Sequence, residues 1–459
     1  MARAKKEAAL TPEERLQAAL VPDWERPYKL PENWCWTRLG SVSTIVGGGT
    51  PSSGVAEYYE NGTIPWISPA DLSGYSDMYI SHGAKNITEL GLEKSSARLM
   101  PAGTVCLSSR APIGYVVIAQ NDISTNQGFK SMLPSPCFIS EYLYWYLKGN
   151  KELLESYASG TTFLEISGGK TAQVEFPLAP LAEQQRIVDR IESLFSKLDE
   201  AKEKAQAVVD SFETRKAAIL HKAFTGELTA KWREEHDVRM ESWEQCSLSD
   251  VCTVNPKKAD TKDLPDELEV SFFPMPALSE IYGEITDSQT RLLKEVRSGF
   301  TNFSEGDVVF AKITPCMENG KSAVIGKLVN DIGFGTTEFF VLRCSERLYN
   351  RFLYHLVRDK SFRDKAKAVM TGAVGQQRVP KRYLETYKLN LPKVNEQQEI
   401  VRILDKSFAR EQQTKEAAEA VLDRIDLMKK SILARAFRGE LGTNDPSEES
   451  AVELLKQII

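Results

Sequence analysis

Glu183-Gln184-Gln185-Arg186-Ile187-Val188 opens a 46-residue segment that closes on Phe224-Thr225-Gly226-Glu227-Leu228, and the chain contains this segment twice. The second copy runs from Glu396-Gln397-Gln398-Glu399-Ile400-Val401 to Phe437-Arg438-Gly439-Glu440-Leu441, 213 residues downstream and without a gap; 20 of the 46 paired positions are identical. Each copy follows a non-helical region of similar length, and both regions open alike, with Trp34, Leu39 and Val42 matched by Trp243, Leu248 and Val251. The chain therefore reads as globule, long helix, globule, long helix.

In the first copy, apolar or small residues at Ile187, Ile191, Leu194, Leu198, Ala201, Ala205, Val208 and Phe212 alternate steps of four and three, a heptad seam. At about 1.5 Å per residue the segment predicts a rod on the order of 70 Å long, too long for one small domain to wrap, so it needs a partner helix. The second copy supplies Ile400, Leu404, Val421, Ile425, Met428 and Ile432 on the equivalent stripe, but Ser407, Glu411 and Thr414 interrupt it, so that stretch is looser or faces something else. Pro180 stands ahead of the first helix, Asn395 with Gln398 reads as a capping box for the second, and Gly226 and Gly439 sit where a helix end favours positive φ. Antiparallel packing of the rods would place the globules at opposite ends. Trp24 and Trp34 bracket a charged, Pro-containing run much as Trp232 and Trp243 do, which suggests that the N-terminus supplies the segment after the second rod and closes a pseudo-twofold ring.

The 459 residues suffice for two or three domains with their own cores. A hydrophobic content of 42%, a charged content of 27% and a net charge of -6 describe an ordinary globular protein and disfavour a basic DNA-coating one. Seven cysteines without a C-x-x-C pair fit reduced thiols, no apolar run has membrane-span length, and Met1 to Lys6 is polar, so a cytoplasmic protein is expected. Ile45 to Glu175 holds 8 Lys plus Arg against 12 Asp plus Glu, and Thr253 to Asn390 holds 21 against 18, so the second globule has the stronger pull on polyanions.

Both globules predict α+β folds. Thr104–Leu107, Gly114–Ile118, Asp307–Phe310 and Phe339–Leu342 read as strands between turns, each set followed by a helix, Glu141–Tyr157 or Arg347–Val369. Enzyme signatures fail. Gly320-Lys321-Ser322 and Gly169-Lys170-Thr171 lack the phosphate-loop glycine, since Pro315 and Leu164 occupy its place. His82, His221, His236 and His355 are scattered without metal-ligand spacing, and no catalytic or metal site is expected. What remains are loops whose side chains can meet base edges and phosphates. In the first globule the candidates are Thr50, Ser52, Arg110, Asn126, Gln127, Lys130 and Lys170. In the second they are Lys312, Thr314, Asn319, Lys321, Thr337, Gln376, Gln377 and Arg378. Ordinary turn chemistry competes at any one loop; recurrence in both globules favours recognition.

From Leu30-Pro31-Glu32-Asn33-Trp34 to the second Phe-x-Gly-Glu-Leu ending, with both Glu-Gln-Gln helix starts, the chain resembles the specificity subunits of type I restriction-modification systems. Gly49-Thr50-Pro51, Asn126-Gln127-Gly128-Phe129-Lys130, the Lys312 to Lys321 run and Gln377-Arg378 are also similar to sequences in their recognition domains. The resemblance implies an α+β fold with two pseudo-twofold-related target-recognition domains separated by two long helices packed as an antiparallel coiled coil. Residues 1–29 would be an N-terminal segment closing the ring, 30–179 and 233–391 the recognition domains, 180–232 and 392–441 the spacer helices, and 442–459 a tail. Each domain would read half of a bipartite site in double-stranded DNA, while the helices fix the spacer and dock two methyltransferase subunits. Restriction/translocase subunits complete such complexes. No cofactor belongs to this chain on that reading; S-adenosylmethionine, ATP and Mg2+ act through the partners. The competing reading is a coiled-coil scaffold whose globules bind other proteins.

Overall fold

The computed structural model describes residues 11–459 apart from 111, 161–163, 281, 282, 284 and 374. It divides into two compact units, Met1–Lys204 with Val421–Ile459, and Ala205–Ala420. The N-terminal stretch expected to close a ring lies outside the described residues up to position 10.

In the first unit a five-stranded sheet has the order Ile45–Gly47, Phe129–Met132, Val105–Ser108, Val116–Ala119, Tyr79–Ile80. Val105–Ser108 and Val116–Ala119 are buried at every position, which is why they read as unbroken apolar runs rather than alternating ones. A three-stranded sheet, Lys85–Ile87, Ile64–Ile67 and Ser124–Thr125, stands beside it. The second unit has two four-stranded sheets, one ordered Cys252–Val254, Phe339–Cys344, Val308–Ala311, Ser322–Val324, the other Gln289–Leu292, Glu269–Phe273, Gly333–Gly335, Thr301–Phe303. Each globule is closed where the chain enters and leaves it by an antiparallel pair: Cys35 opposite Leu178, and Glu244 opposite Leu391.

Both helices expected as single stretches are broken. Asn150 separates Ser140–Gly149 from Lys151–Ser156, and extended Asp359 separates Asn350–Arg358 from Lys360–Ala368, where its carboxylate accepts the Phe362 N–H at 3.2 Å as an N-cap.

The first long repeat is also not one rod. It forms Leu181–Asp210 and Phe212–Phe224. At the junction Arg215 Nη1 donates to the Val208 carbonyl at 3.1 Å and Ser211 Oγ donates to the Ala207 carbonyl at 2.6 Å, so side chains occupy acceptors of the helical ladder. The second repeat, Val394–Ala436, is a continuous 43-residue helix. It starts one residue before Asn395, whose carboxamide accepts only the adjacent Glu396 N–H at 2.9 Å, so the expected capping box is absent. Gly226 and Gly439 do adopt positive φ, 83° and 72°.

In the first unit Asp199 pairs with Lys429 at 2.5 Å and Lys202 with Asp426 at 3.3 Å; one index rises as the other falls, so these helix segments run antiparallel. In the second unit Arg215 pairs with Glu411 at 2.7 Å, and Phe212 lies under Lys415, again antiparallel. The seam of the second repeat differs from expectation. Ile400, Leu404 and Ile425 are buried as expected, but Met428 is 51% exposed and Val421 40%, while Ala418 and Leu433 are buried. Glu411 of the polar interruption answers Arg215, and the Thr414 hydroxyl donates to the Arg410 carbonyl at 2.8 Å.

The repeated Glu-Gln-Gln triplet is a latch between helix and globule. Buried Glu183 accepts from Trp34 Nε1 at 2.8 Å and Asn444 Nδ2 at 2.7 Å, and buried Glu396 from Trp243 Nε1 at 2.9 Å, Arg233 Nη1 at 2.7 Å and Thr229 Oγ1 at 2.8 Å. Gln184 accepts the Ile139 N–H and donates to the Cys137 and Ala179 carbonyls; Gln397 accepts the Tyr349 N–H and donates to the Arg347 and Pro392 carbonyls. Buried polar groups thus find partners on both elements, and each globule is keyed onto its helix. Among the described residues the C-terminal tail reaches Glu183 through Asn444, and Arg186 pairs with Glu448 of that tail at 2.8 Å. The N-terminal segment packs alongside: Tyr28 Oη donates to the Phe437 carbonyl at 3.1 Å, while Trp24 is 84% exposed.

Candidate nucleic-acid interface

Most of the candidate loops picked out in the sequence converge in each unit, on one shared backbone pattern. In the first unit the Ser109 N–H donates to the Gly128 carbonyl at 2.7 Å, the Ile166 N–H to the Ser109 carbonyl at 3.0 Å, and Glu165 exchanges two backbone bonds with Ser159 at 3.0 Å. In the second, the Lys312 N–H donates to the Glu338 carbonyl at 2.9 Å, the Val379 N–H to the Lys312 carbonyl at 2.9 Å, and Arg378 exchanges two bonds with Thr371 at 2.8 and 3.0 Å. Isolated bridges repeat as well, Arg110 opposite Glu165 and Ile313 opposite Arg378. The turns before the buried phenylalanines agree: Asn126 Oδ1 accepts the Gly128 N–H at 2.8 Å, and Thr336 Oγ1 accepts the Glu338 N–H at 3.2 Å.

Different side chains stand on this common frame. Glu165 takes the place that Arg378 takes in the second unit. Around Glu165 lie the cations Arg110 at 3.3 Å and Lys130 at 3.5 Å. Arg378 is instead gripped through two parallel bonds, Nε to Oε2 and Nη2 to Oε1 of Glu338, both 2.9 Å. The guanidinium holds the Glu338 carboxyl below the ordinary glutamate range, against the upward pull of burial. Lys130 also donates to Ser109 Oγ at 3.3 Å, and the Lys312 ammonium lies 5.7 Å from the Phe340 ring centroid.

The fifteen sequence candidates separate accordingly. Thr50, Ser52, Gln127, Lys170, Thr337 and Gln376 are exposed, and Thr50 and Gln127 are hydrogen-bonded to each other. Arg110, Asn126, Lys312, Thr314, Gln377 and Arg378 are half-buried within the clusters, with the Thr314 N–H donating to the Gln377 carbonyl at 3.0 Å. Lys130 and Lys321 do not stand free as phosphate contacts, since each side chain is 14% exposed and engaged by a carboxylate, Glu165 or Glu280. Exposed Asn319 also turns to Glu280, at 3.1 Å, away from the Arg378 cluster. Glu165 and Glu338 stand outside the fifteen side chains read from the sequence. Their role appears only once the loops are brought together.

A family model described as the type I restriction modification DNA specificity domain matches residues 31–209 and again residues 240–421. The chain belongs to that specificity family. A stretch covering 41% of this specificity-family chain is 40% identical to the type I restriction enzyme MjaIX specificity subunit of Methanocaldococcus jannaschii, spanning 45% of that relative, less than half its length. Identity to the EcoKI specificity subunit of Escherichia coli K12 is 23%, over 94% of the chain and 96% of the relative. Among solved structures, the HsdS subunit from Thermoanaerobacter tengcongensis shares the fold with a TM-score of 0.63 at 19% identity, covering 91% of this chain and 100% of that one. Each matched segment of the specificity-family chain contains one complete loop cluster, residues 50–170 or 312–378. Among the described residues no group of three or more His, Cys, Asp or Glu is placed to hold a metal ion, and no helix is long and apolar enough to cross a membrane.

Proposed function

We propose that this chain is the DNA-recognition subunit of a type I restriction-modification complex and contributes no catalysis of its own. Each globule reads one half of a bipartite site. The observation that carries this reading is the loop cluster built twice on one backbone pattern and furnished with different side chains, Glu165 with Arg110 and Lys130 in one and Arg378 with Glu338 in the other. A frame shared by the two units and carrying different side chains suits two readers of two sequences. The long helices act as an antiparallel coiled-coil spacer that sets the gap between half-sites and docks two methyltransferase subunits; the antiparallel ion pairs inside each unit support that packing. Restriction/translocase subunits join the assembly, and S-adenosylmethionine, ATP and Mg2+ act on those partners.

The test is selection from a random duplex pool with the purified chain alone and with a methyltransferase partner. Enrichment of a split motif with a fixed gap is expected. A contiguous motif would overturn the two-reader arrangement, and a pool neither retarded nor enriched would favour a scaffold whose globules bind proteins.

A further inference from the structure

The junction between helix and globule contains a cavity in each unit, and the two are built by equivalent residues with opposite charge. In the second unit a cavity of about 720 Å3 lies where His355 packs against Phe408, ring centroids 5.8 Å apart. In the first, one of about 660 Å3 lies where Trp145 packs against Phe195 at 5.0 Å. Phe195 and Phe408 are matched positions of the 213-residue repeat, as are Lys429 and Lys216. Each lysine lies over the matched ring, 4.9 Å from Phe195 and 5.6 Å from Phe408. The aromatic anchor and its lysine are thus common; the charges around them are not.

The first-unit cavity is acidic, lined by Asp77, Glu192 and Asp199, and Lys429 is neutralised by Asp199 at 2.5 Å. The second-unit cavity is lined by Lys216, Arg358, Lys360, Arg363 and Lys367. Its carboxylates are mostly spoken for: Glu318 pairs with Lys367, Asp364 with Lys360 at 2.7 Å, and Glu280 with Lys321 at 3.6 Å, leaving the exposed Glu213. Among the described residues Lys216 makes no hydrogen bond or ion pair; its ammonium lies only over the Phe408 and Phe212 rings. Arg363 donates to two backbone carbonyls, those of Glu318 and, at 3.1 Å, Arg358, and to no carboxylate. Burial, with Arg358, Arg363 and Lys415 nearby, pulls the Lys216 ammonium down from the ordinary lysine range despite Glu213. Half-buried cations that repel one another are costly unless an anion joins them. Because the repeat makes the same junction acidic in the other unit, packing alone does not demand this charge.

We propose that the second-unit cavity binds a phosphate group, whose oxygens are taken by the Lys216 ammonium and the Arg363 guanidinium. A phosphate is favoured because a guanidinium presents a fork of donors to its oxygens and the ammonium supplies a point charge. The group comes either from the DNA backbone or from a free phosphate ester. The cavity is separate from the Arg378 cluster, so the outcome does not depend on whether a split motif is found.

The test uses the full chain, with inorganic phosphate as the probe in calorimetry and in thermal melts at matched ionic strength. Phosphate is expected to bind and to raise the melting temperature of the wild type and of Lys216→Arg, with binding at least tenfold weaker in Lys216→Gln and unchanged in Lys429→Gln. Lys216→Met keeps the stem between the two rings and serves as a second neutral variant; in chloride it should melt no lower than the wild type, since a repelled charge has been removed. On random duplex DNA, a slope of log K against log salt reduced by about one in the neutral variants identifies a backbone phosphate as the source, and an unchanged slope identifies a free ester. Phosphate binding equal in the wild type and both neutral variants, or absent from the wild type, overturns the site.

Discussion

Replacing Glu396 by Gln should destabilise the second unit more than replacing Glu183 by Gln destabilises the first, although the two are the same position of the repeat. Both carboxylates are buried and each accepts an indole N–H, from Trp243 or Trp34. Their other partners differ. Glu183 is completed by the neutral donors Asn444 at 2.7 Å and Thr443 at 3.3 Å. Glu396 is completed by Thr229 and by the Arg233 guanidinium at 2.7 Å, in a pair only 1% and 10% exposed. Glu183→Gln keeps one acceptor oxygen and turns an amide N–H toward a donor, leaving one buried group unsatisfied at about 1–3 kcal/mol. Glu396→Gln does the same and also strands a buried guanidinium, a loss of about 3–5 kcal/mol. For a unit of this size about 1 kcal/mol shifts the melting temperature by roughly 2–4 °C. Denaturant titration gives the two losses, and hydrogen exchange in Glu244–Ser247 and Lys388–Leu391 localises the second. A double substitution Glu396→Gln with Arg233→Met should recover part of the loss, as removal of both partners of a buried pair does. Equal losses for the two glutamates, or no recovery in the double variant, would refute the latch energetics.

Arg378→Ala should relax the preference at one half-site only and leave the other half-site and the gap unchanged, read by motif selection; uniform weakening across sequences would count against base readout. Glu338→Gln frees Arg378 from its two-bond grip and should also change that half-site alone, whereas Lys130→Ala, whose ammonium is held by Glu165, should leave the salt slope of DNA binding close to wild type. The Glu338 carboxyl is depressed by Arg378, so its contribution to stability is complete above the ordinary glutamate range near about 4.3 and is lost as pH falls through the lower folded-state value; Arg378→Ala should abolish that acid-side loss in melts at pH 7 and pH 3.5. Gly439→Ala places a Cβ 2.4 Å from Pro31 Cγ at a φ of 72°, and should cost more than about 1 kcal/mol on chemical denaturation.

The repeat made the α+β alternation legible, along with the entry tryptophans, the glycine helix ends and the loops that converge. Those are local or periodic signals: a triplet, a heptad, a turn. The latch shows why the Glu-Gln-Gln triplet and Trp34 or Trp243 recur together, since each needs the other's hydrogen bond once both are buried. What the sequence could not assign was which cations stay free. Lys130 and Arg110 answer Glu165, Arg378 answers Glu338, and Lys321 answers Glu280, over separations of 35, 55, 40 and 41 residues that no period encodes. The same holds for the helix seam. Val421 and Met428 fit the heptad but are exposed, because Lys429 over Phe195 and Glu411 with Arg215 fix how the second repeat is turned. Sequence periodicity sets which residues share a helix face; only the packed partner decides which face is inside, and only the folded loops decide which charges meet.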